Sequence, residues 1–323
     1  MTRTILFILL ATLPACKSVV RTSLPTPLPS APVVDTFTTH LDGKWIEVTV
    51  SVPRGSGPRP VVISPIVPDE ELLERGFAVA RFHTNWESLR GFVAAPAPAL
   101  PSKAGEPGSA SAPQRTNQVG SWLLAATRPG IVGRAYFDII STDAEKVLPR
   151  VVDYLSTLPE IDAKRIALTG SSTSGFVALQ GMAAEPRIAV GVVRVACGDY
   201  VRFLRSSSLA LGDDPRWLPG GKVVLDPDYA VEIAAREPIR HADLYPPRPL
   251  LLLAGEQDRA IPFACVESTV QRFRAAYAAS DAVERFRFVA FAESGHNLSA
   301  DANAEIIPWL ERWLAPDFSA ALD

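Results

Sequence analysis

Apolar and polar positions alternate along residues 36–52, on both sides of Asp42-Gly43, with Trp45, Val48, Val50 and Val52 among the apolar ones. Alternation flanking an Asp-Gly pair predicts a β-hairpin. A short unbroken apolar run at 60–64 is followed by a helix-period stretch through 70–75, then Gly76 and a second apolar run at 77–82, which reads as a strand, helix, strand unit. The period changes to that of a helix over 143–158, where Val147, Leu148, Val151, Val152, Tyr154 and Leu155 fall on one side. Strands are then expected at 165–169, 188–196, 249–254 and 285–292, and helices at 174–184, 263–278 and 302–314. Alternating strands and helices imply a mostly parallel central sheet with helices on both faces, an α/β architecture. Residues 197–247, of mixed pattern between two strands, read as a cap-like insertion above that sheet.

Composition agrees with a folded chain: 47% of the residues are hydrophobic, and 32 basic against 35 acidic residues leave a net charge of −3. Nucleic acid is excluded as a partner, because its phosphates need clustered Lys and Arg and no basic run occurs. No apolar run reaches the roughly 18 to 20 residues that span a bilayer. The 29 prolines cluster. Residues 17–35, containing Leu24-Pro25-Thr26-Pro27-Leu28-Pro29, read as an extended tether. Residues 93–118, nearly all Ala, Pro, Ser and Gly, read as a disordered surface loop, with a mobile lid as the alternative.

The first residues form an address: Arg3, an apolar run over 5–13, then Leu13-Pro14-Ala15-Cys16. The last four resemble the lipobox of bacterial lipoproteins, although Pro14 stands where a small residue is usual. The resemblance implies that residues 1–16 are a lipoprotein-type signal, that Cys16 is acylated, and that the protein is exported and held at the cell envelope through a membrane lipid anchor. Plain cleavage or an uncleaved anchor are the alternatives.

Three residues fall where chemistry is expected. Ile166-Ala167-Leu168-Thr169 runs into Gly170-Ser171-Ser172-Thr173-Ser174-Gly175 and then into a helix, placing Ser172 on a sharp strand-to-helix turn. The usual pattern is G-x-S-x-G; here Ser174 takes the last glycine's place and Gly175 follows it. Leu250-Leu251-Leu252-Leu253-Ala254 leads into a loop carrying Asp258, and the strand at 286–291 leads into Glu293-Ser294-Gly295-His296-Asn297. All three would stand at the carboxyl edge of a parallel sheet, where open α/β folds build their sites. A Ser hydroxyl needs a base such as His296 to take its proton, and Asp258 would hold the imidazole in the right tautomer. Glu256 and Glu293 are rival acids. His40, His83 and His241 lack such a setting.

From about Thr36 to the end, the chain resembles the α/β-hydrolases, closest to the dienelactone hydrolase and prolyl-oligopeptidase-like branch. The motifs are the elbow, Asp162-Ala163-Lys164-Arg165-Ile166 before it, and Pro246-Pro247-Arg248-Pro249-Leu250 before the acid strand. The resemblance implies one hydrolase domain over 36–323, with Ser172 as nucleophile, Asp258 as acid and His296 as base. It also implies an oxyanion hole from the N–H of Thr173 and one from the loop after an early strand. That loop reads Ser64-Pro65-Ile66-Val67-Pro68, where the family commonly has a His-Gly type sequence. Pro65 has no N–H, which leaves Ile66 as the expected donor.

The function expected is a serine hydrolase cleaving a small-molecule carboxylic ester through an acyl-enzyme. The alternatives are a prolyl-oligopeptidase-like peptidase and an inactive, envelope-tethered binding protein. The chain has no H-E-x-x-H, no C-x-x-C and no S-x-x-K, so no metal site or β-lactamase-type chemistry is predicted, and no cofactor is expected. Cys197 and Cys265, each following a strand at the same sheet edge, are candidates for a disulfide. Tyr200, Phe203, Trp217 and Tyr229 either wall a substrate pocket or form the insertion's own core. The oligomeric state is left open.

Overall fold

Eight strands join into one sheet in the order β1-β2-β4-β3-β5-β6-β7-β8 in the computed structural model, which describes residues 34–41, 46–84, 137–208, 227–299 and 301–314. The strands are β1 (Val34–Leu41), β2 (Ile46–Pro53), β3 (Arg59–Ile63), β4 (Ala78–Thr84), β5 (Ile161–Ser171), β6 (Ile188–Arg194), β7 (Leu250–Gly255) and β8 (Phe286–Phe291). β1, β2 and β4 pair antiparallel; every pair from β4 through β3 to β8 is parallel. The expected hairpin is the β1–β2 pair, its Asp42-Gly43 turn and Trp45 lying outside the described residues.

The parallel strands are apolar at successive positions because both faces are covered. Val61, Ile63, Ile166, Leu168, Leu250 and Leu252 point to one side, where they meet α2 (Leu148–Leu155), α3 (Thr173–Ala184) and α6 (Phe263–Ala279). Val62, Ala167, Val190, Val192, Leu251 and Leu253 point to the other, against α1 (Asp69–Glu74) and α7 (Asp301–Leu314). A π-helical turn, Asp143–Val147, precedes α2. α3 is buried nearly all round, from Gly175 to Met182, as befits a helix pressed on the middle of the sheet.

The stretch 197–247 contributes α4 (Tyr200–Ser206), α5 (Pro227–Ala235) and a 3₁₀ segment, Pro238–Leu244. Among the described residues, its buried apolar side chains join the main core. Tyr200 and Phe203 join the first face's core, Tyr200 tilted on Phe137 at 4.5 Å between ring centroids and Phe203 edge-on to Phe176 at 5.0 Å. These two are therefore core residues, not pocket walls. The signal with Cys16, residues 17–33 of the tether, the 93–118 loop, Trp217 and the Tyr229 side chain lie outside what is described; the last two residues of the expected tether, Val34 and Asp35, instead begin β1, where they pair with Pro53 and Val52. Among the described residues, no helix is long and apolar enough to cross a membrane.

Candidate active site

The nucleophile elbow depends on close backbone approach at two glycines. A Cβ on Gly170 would stand 2.0 Å from the Ser174 carbonyl oxygen, and one on Gly175 would stand 2.9 Å from Ala196 Cβ and 3.0 Å from the Arg194 carbonyl. Ser174 is exposed, so the second close approach falls on Gly175 and the displaced glycine of the motif creates no clash. Between them Ser172 takes φ 57° and ψ −121°, a conformation L-residues rarely adopt. It is held there by its N–H donating to the Arg194 carbonyl at 3.0 Å and its carbonyl accepting from Phe176 N–H at 3.1 Å.

Three of the four described non-glycine residues with left-handed φ lie just past the carboxyl ends of neighbouring strands: Ser64 (53°) after β3, Ser172 (57°) after β5 and Val195 (45°) after β6. Local strain thus concentrates at one sheet edge, where the rest of the fold can hold it. Ser64 is fixed on both sides of its own backbone: its N–H donates to the Ala80 carbonyl at 2.8 Å, and its carbonyl accepts from Thr169 Oγ1 at 2.7 Å. This tie sets the direction in which the chain enters Pro65-Ile66. Among the described residues, no hydrogen bond engages the Ile66 N–H.

Asp258 and His296 are brought to Ser172 by stitching two loops. Gly255 ends β7 so close to the histidine loop that a Cβ there would lie 2.3 Å from the Ser294 and Gly295 carbonyls. Glu256 N–H donates to the Phe291 carbonyl at 3.1 Å, and Gln257 N–H to the Ser294 carbonyl at 2.9 Å. Asp258 Oδ1 accepts from the N–H groups of Ala260 and Ile261 at 2.8 and 2.9 Å, leaving Oδ2 to face His296 Nδ1 at 2.8 Å. His296 Nε2 lies 3.0 Å from Ser172 Oγ. With Nδ1–H donated to the carboxylate, Nε2 is the free acceptor for the Ser172 hydroxyl. The Asp258 side chain is 1% exposed and that of His296 35%, so the acid is sealed while the imidazole faces outward.

The structure therefore brings Ser172, His296 and Asp258 together. The rival acids Glu256 and Glu293 are exposed, and among the other histidines His40 pairs with Glu47 and His241 with the Ala235 carbonyl. Cys197 and Cys265 are buried and stand as free thiols. Surface clefts of about 400 Å³ (with Arg187 and Arg248) and about 540 Å³ (with Glu145 and Asp153) contain none of the three residues. Among the described residues no cluster of three or more His, Cys, Asp or Glu could hold a metal.

Arg194 was not singled out by the sequence reading. Its Nε donates to Ser171 Oγ at 3.1 Å and its Nη1 to Asn303 Oδ1 at 3.3 Å, linking the residue before Ser172 to the helix after His296. Burial lowers its pKa, and among the described residues no carboxylate pairs with it. The available signal was a single cation inside the apolar run Ile188-Ala189-Val190-Gly191-Val192-Val193-Arg194.

The sequence profile of the prolyl oligopeptidase family matches residues 145–317, more than half of the chain and all of the stretch that carries Ser172, Asp258 and His296. The chain belongs to the prolyl oligopeptidase family. Family membership accounts for the sheet order, which is that of the α/β-hydrolase fold. YtaP of Bacillus subtilis (strain 168), named as a candidate hydrolase, is 28% identical over 163 residues, and the chain spans about half the length of that curated relative. Among solved structures, a Pyrococcus horikoshii acylaminoacyl peptidase superposes with TM-score 0.58 at 12% identity, over 91% of this chain and 45% of the peptidase. A cold-adapted esterase from an Arctic intertidal metagenomic library gives 0.51 at 11% identity, over 88% of this chain and 95% of the esterase. At such identities the likeness is one of fold.

Proposed function

We propose that this member of the prolyl oligopeptidase family hydrolyses carboxylic esters through an acyl-enzyme on Ser172. The reading rests on one observation above others: the unbroken relay from Ser172 Oγ to His296 Nε2 at 3.0 Å and from His296 Nδ1 to Asp258 Oδ2 at 2.8 Å. Ser172 Oγ attacks the ester carbonyl while His296 Nε2 takes its proton, and the resulting imidazolium is stabilised by the ionised Asp258. Developing charge on the carbonyl oxygen meets the N–H groups of Thr173 and Ile66. His296 returns the proton to the departing alcohol. Water, deprotonated by the same imidazole, then releases the acid and restores Ser172.

A peptidase reading is favoured by the family profile itself, which is named for an oligopeptidase. An amine is a poorer leaving group than an alcohol, so the same relay would need more transition-state help to cleave an amide. Export and lipid anchoring through Cys16 are proposed on the pattern of residues 1–16.

Exposure of the full chain to a fluorophosphonate, followed by peptide mapping, tests the nucleophile. A single adduct on Ser172, absent in Ser172→Ala, is expected. Folded protein that takes no adduct would remove the enzyme reading in favour of an inactive binding protein. Turnover of p-nitrophenyl esters against aminoacyl p-nitroanilides then separates esterase from peptidase: kcat/KM higher on the anilides overturns the ester assignment.

A further inference from the structure

Arg194, the last residue of β6, grips two consecutive residues of the nucleophile elbow. Its carbonyl accepts from Ser172 N–H at 3.0 Å, and its Nε donates to Ser171 Oγ at 3.1 Å, across the in-register pair that Ser171 and Arg194 form at the ends of β5 and β6. The far end of the same guanidinium donates from Nη1 to Asn303 Oδ1 at 3.3 Å. Asn303 stands in the first turn of α7, the helix that follows the His296 loop. Ala302 N–H donates to the Ser299 carbonyl at 3.1 Å, and Leu298 packs against the cores of both faces, so that loop and the start of the helix are tied together.

Stability gives no reason for a cation at this place. Val192 and Leu253 fill the same face of the sheet with hydrocarbon, and Arg194 is half-buried with two neutral oxygens, and among the described residues no carboxylate, at its side chain. Taking a guanidinium out of water without a countercharge costs free energy that an apolar side chain in the same position would not. What its two bonds do fix is a separation: one end lies on the residue before Ser172, the other on the helix behind His296. Ser172 itself sits at φ 57° and ψ −121°, a conformation that lasts only while its neighbours are held.

We propose that Arg194 is a positioning residue for the reaction proposed on Ser172: a spacer that keeps the elbow and the His296 loop at the separation where Ser172 Oγ can pass its proton to His296 Nε2. The inference rests on that reading of the site. Arg194 acts through Ser171 and Asn303 and takes no part in the proton transfer. Attack by Oγ depends steeply on its alignment with the imidazole, so loosening the spacer slows the step and leaves substrate binding as it was.

Ester kinetics and the rate of fluorophosphonate labelling on the full chain test it, with melting temperature as the check on folding. Arg194→Met keeps the bulk and loses the donors; kcat and the labelling rate should fall together by about tenfold to a hundredfold, with KM within about threefold of wild type. Arg194→Lys, a single ammonium in place of a fork, should recover part of the loss. Asn303→Leu cuts the far bond alone and should lower kcat by less. The two changes together should be no slower than Arg194→Met by itself, because one spacer is lost only once. Wild-type kcat and labelling in folded Arg194→Met overturn the proposal, as do losses that multiply in the double variant or that fall on KM alone. If Arg194→Met does not fold, Asn303→Leu decides: a wild-type kcat there overturns the proposal. Wild-type protein that takes no adduct is a different failure, which removes the hydrolase reading and this inference with it.

Discussion

Ser174 grips the peptide of Ser171 from both ends: its hydroxyl accepts from Ser171 N–H and donates to the Ser171 carbonyl, each at 2.9 Å. The residue that breaks the usual G-x-S-x-G spacing thus braces the turn that it interrupts. Both groups are partly open to water, so their loss is expected to be modest. Ser174→Ala should lower stability by about 1 kcal/mol and ester kcat/KM by less than tenfold, read from urea midpoints and steady-state rates. A hundredfold loss of turnover would place Ser174 in the chemistry itself.

Gly170 has no such latitude. With backbone atoms of Ser174 and Gly175 inside 3 Å of any added Cβ, the elbow must open to admit a methyl group. Gly170→Ala is expected to cost about 3 kcal/mol or more and to abolish fluorophosphonate labelling. Wild-type labelling in that variant would show that the turn has a second workable shape.

Asp258→Asn separates architecture from catalysis. The amide oxygen can still accept from Ala260 and Ile261, so folding should persist, but the amide NH₂ turned to His296 demands the opposite imidazole tautomer. Turnover should fall by on the order of 10⁴, as in the serine-protease triad, with little change in melting temperature. A drop below tenfold would return Glu256 or Glu293 to contention.

The Ile66 amide can be tested without touching its side chain's chemistry. Ile66→Pro deletes the N–H and should lower kcat by about 10²–10³. Ile66→Ala keeps it and should stay within a few-fold of wild type. Equal losses in both variants would mean that the side chain, half-buried against the second core, matters more than the amide.

Asp143 gives the stability a pH dependence. Burial raises its pKa to about 7 from an ordinary 3.8, opposed by the Thr84 hydroxyl that donates to it. Between those values the native state keeps a proton that the unfolded chain releases, so this group's contribution falls as pH rises, by a few kcal/mol in all. Urea midpoints at pH 5 and pH 8 should drop more for wild type than for Asp143→Asn. Parallel curves would show that Asp143 ionises normally.

Much of this fold was legible because its signals are local. The hairpin, the β3–α1–β4 unit and the three loops bearing Ser172, Asp258 and His296 each follow from a short period and the residues that end it. What escaped was set across long separations. That Ser64 would be pinned by Thr169 depends on residues 105 positions apart, and that Arg194 would reach Asn303 on 109. The 197–247 stretch carries core aromatics and charged faces on short helices, so its pattern suggested a separate cap while Tyr200 and Phe203 were bound for the main core. β5 begins at Ile161, not 165, because Arg59 pairs with Ile161 before the register shifts.

β8 closes the sheet at its edge and, among the described strands, pairs with β7 alone. The loop that it sends out delivers His296 to a serine 124 positions earlier and an aspartate 38 earlier. As the ribosome makes the chain, Ser172 and Asp258 emerge first and His296 comes last. If the proposed relay carries the activity, any fragment cut short of β8 is therefore a silent protein, and the chain is unreactive until its last strand has joined the sheet.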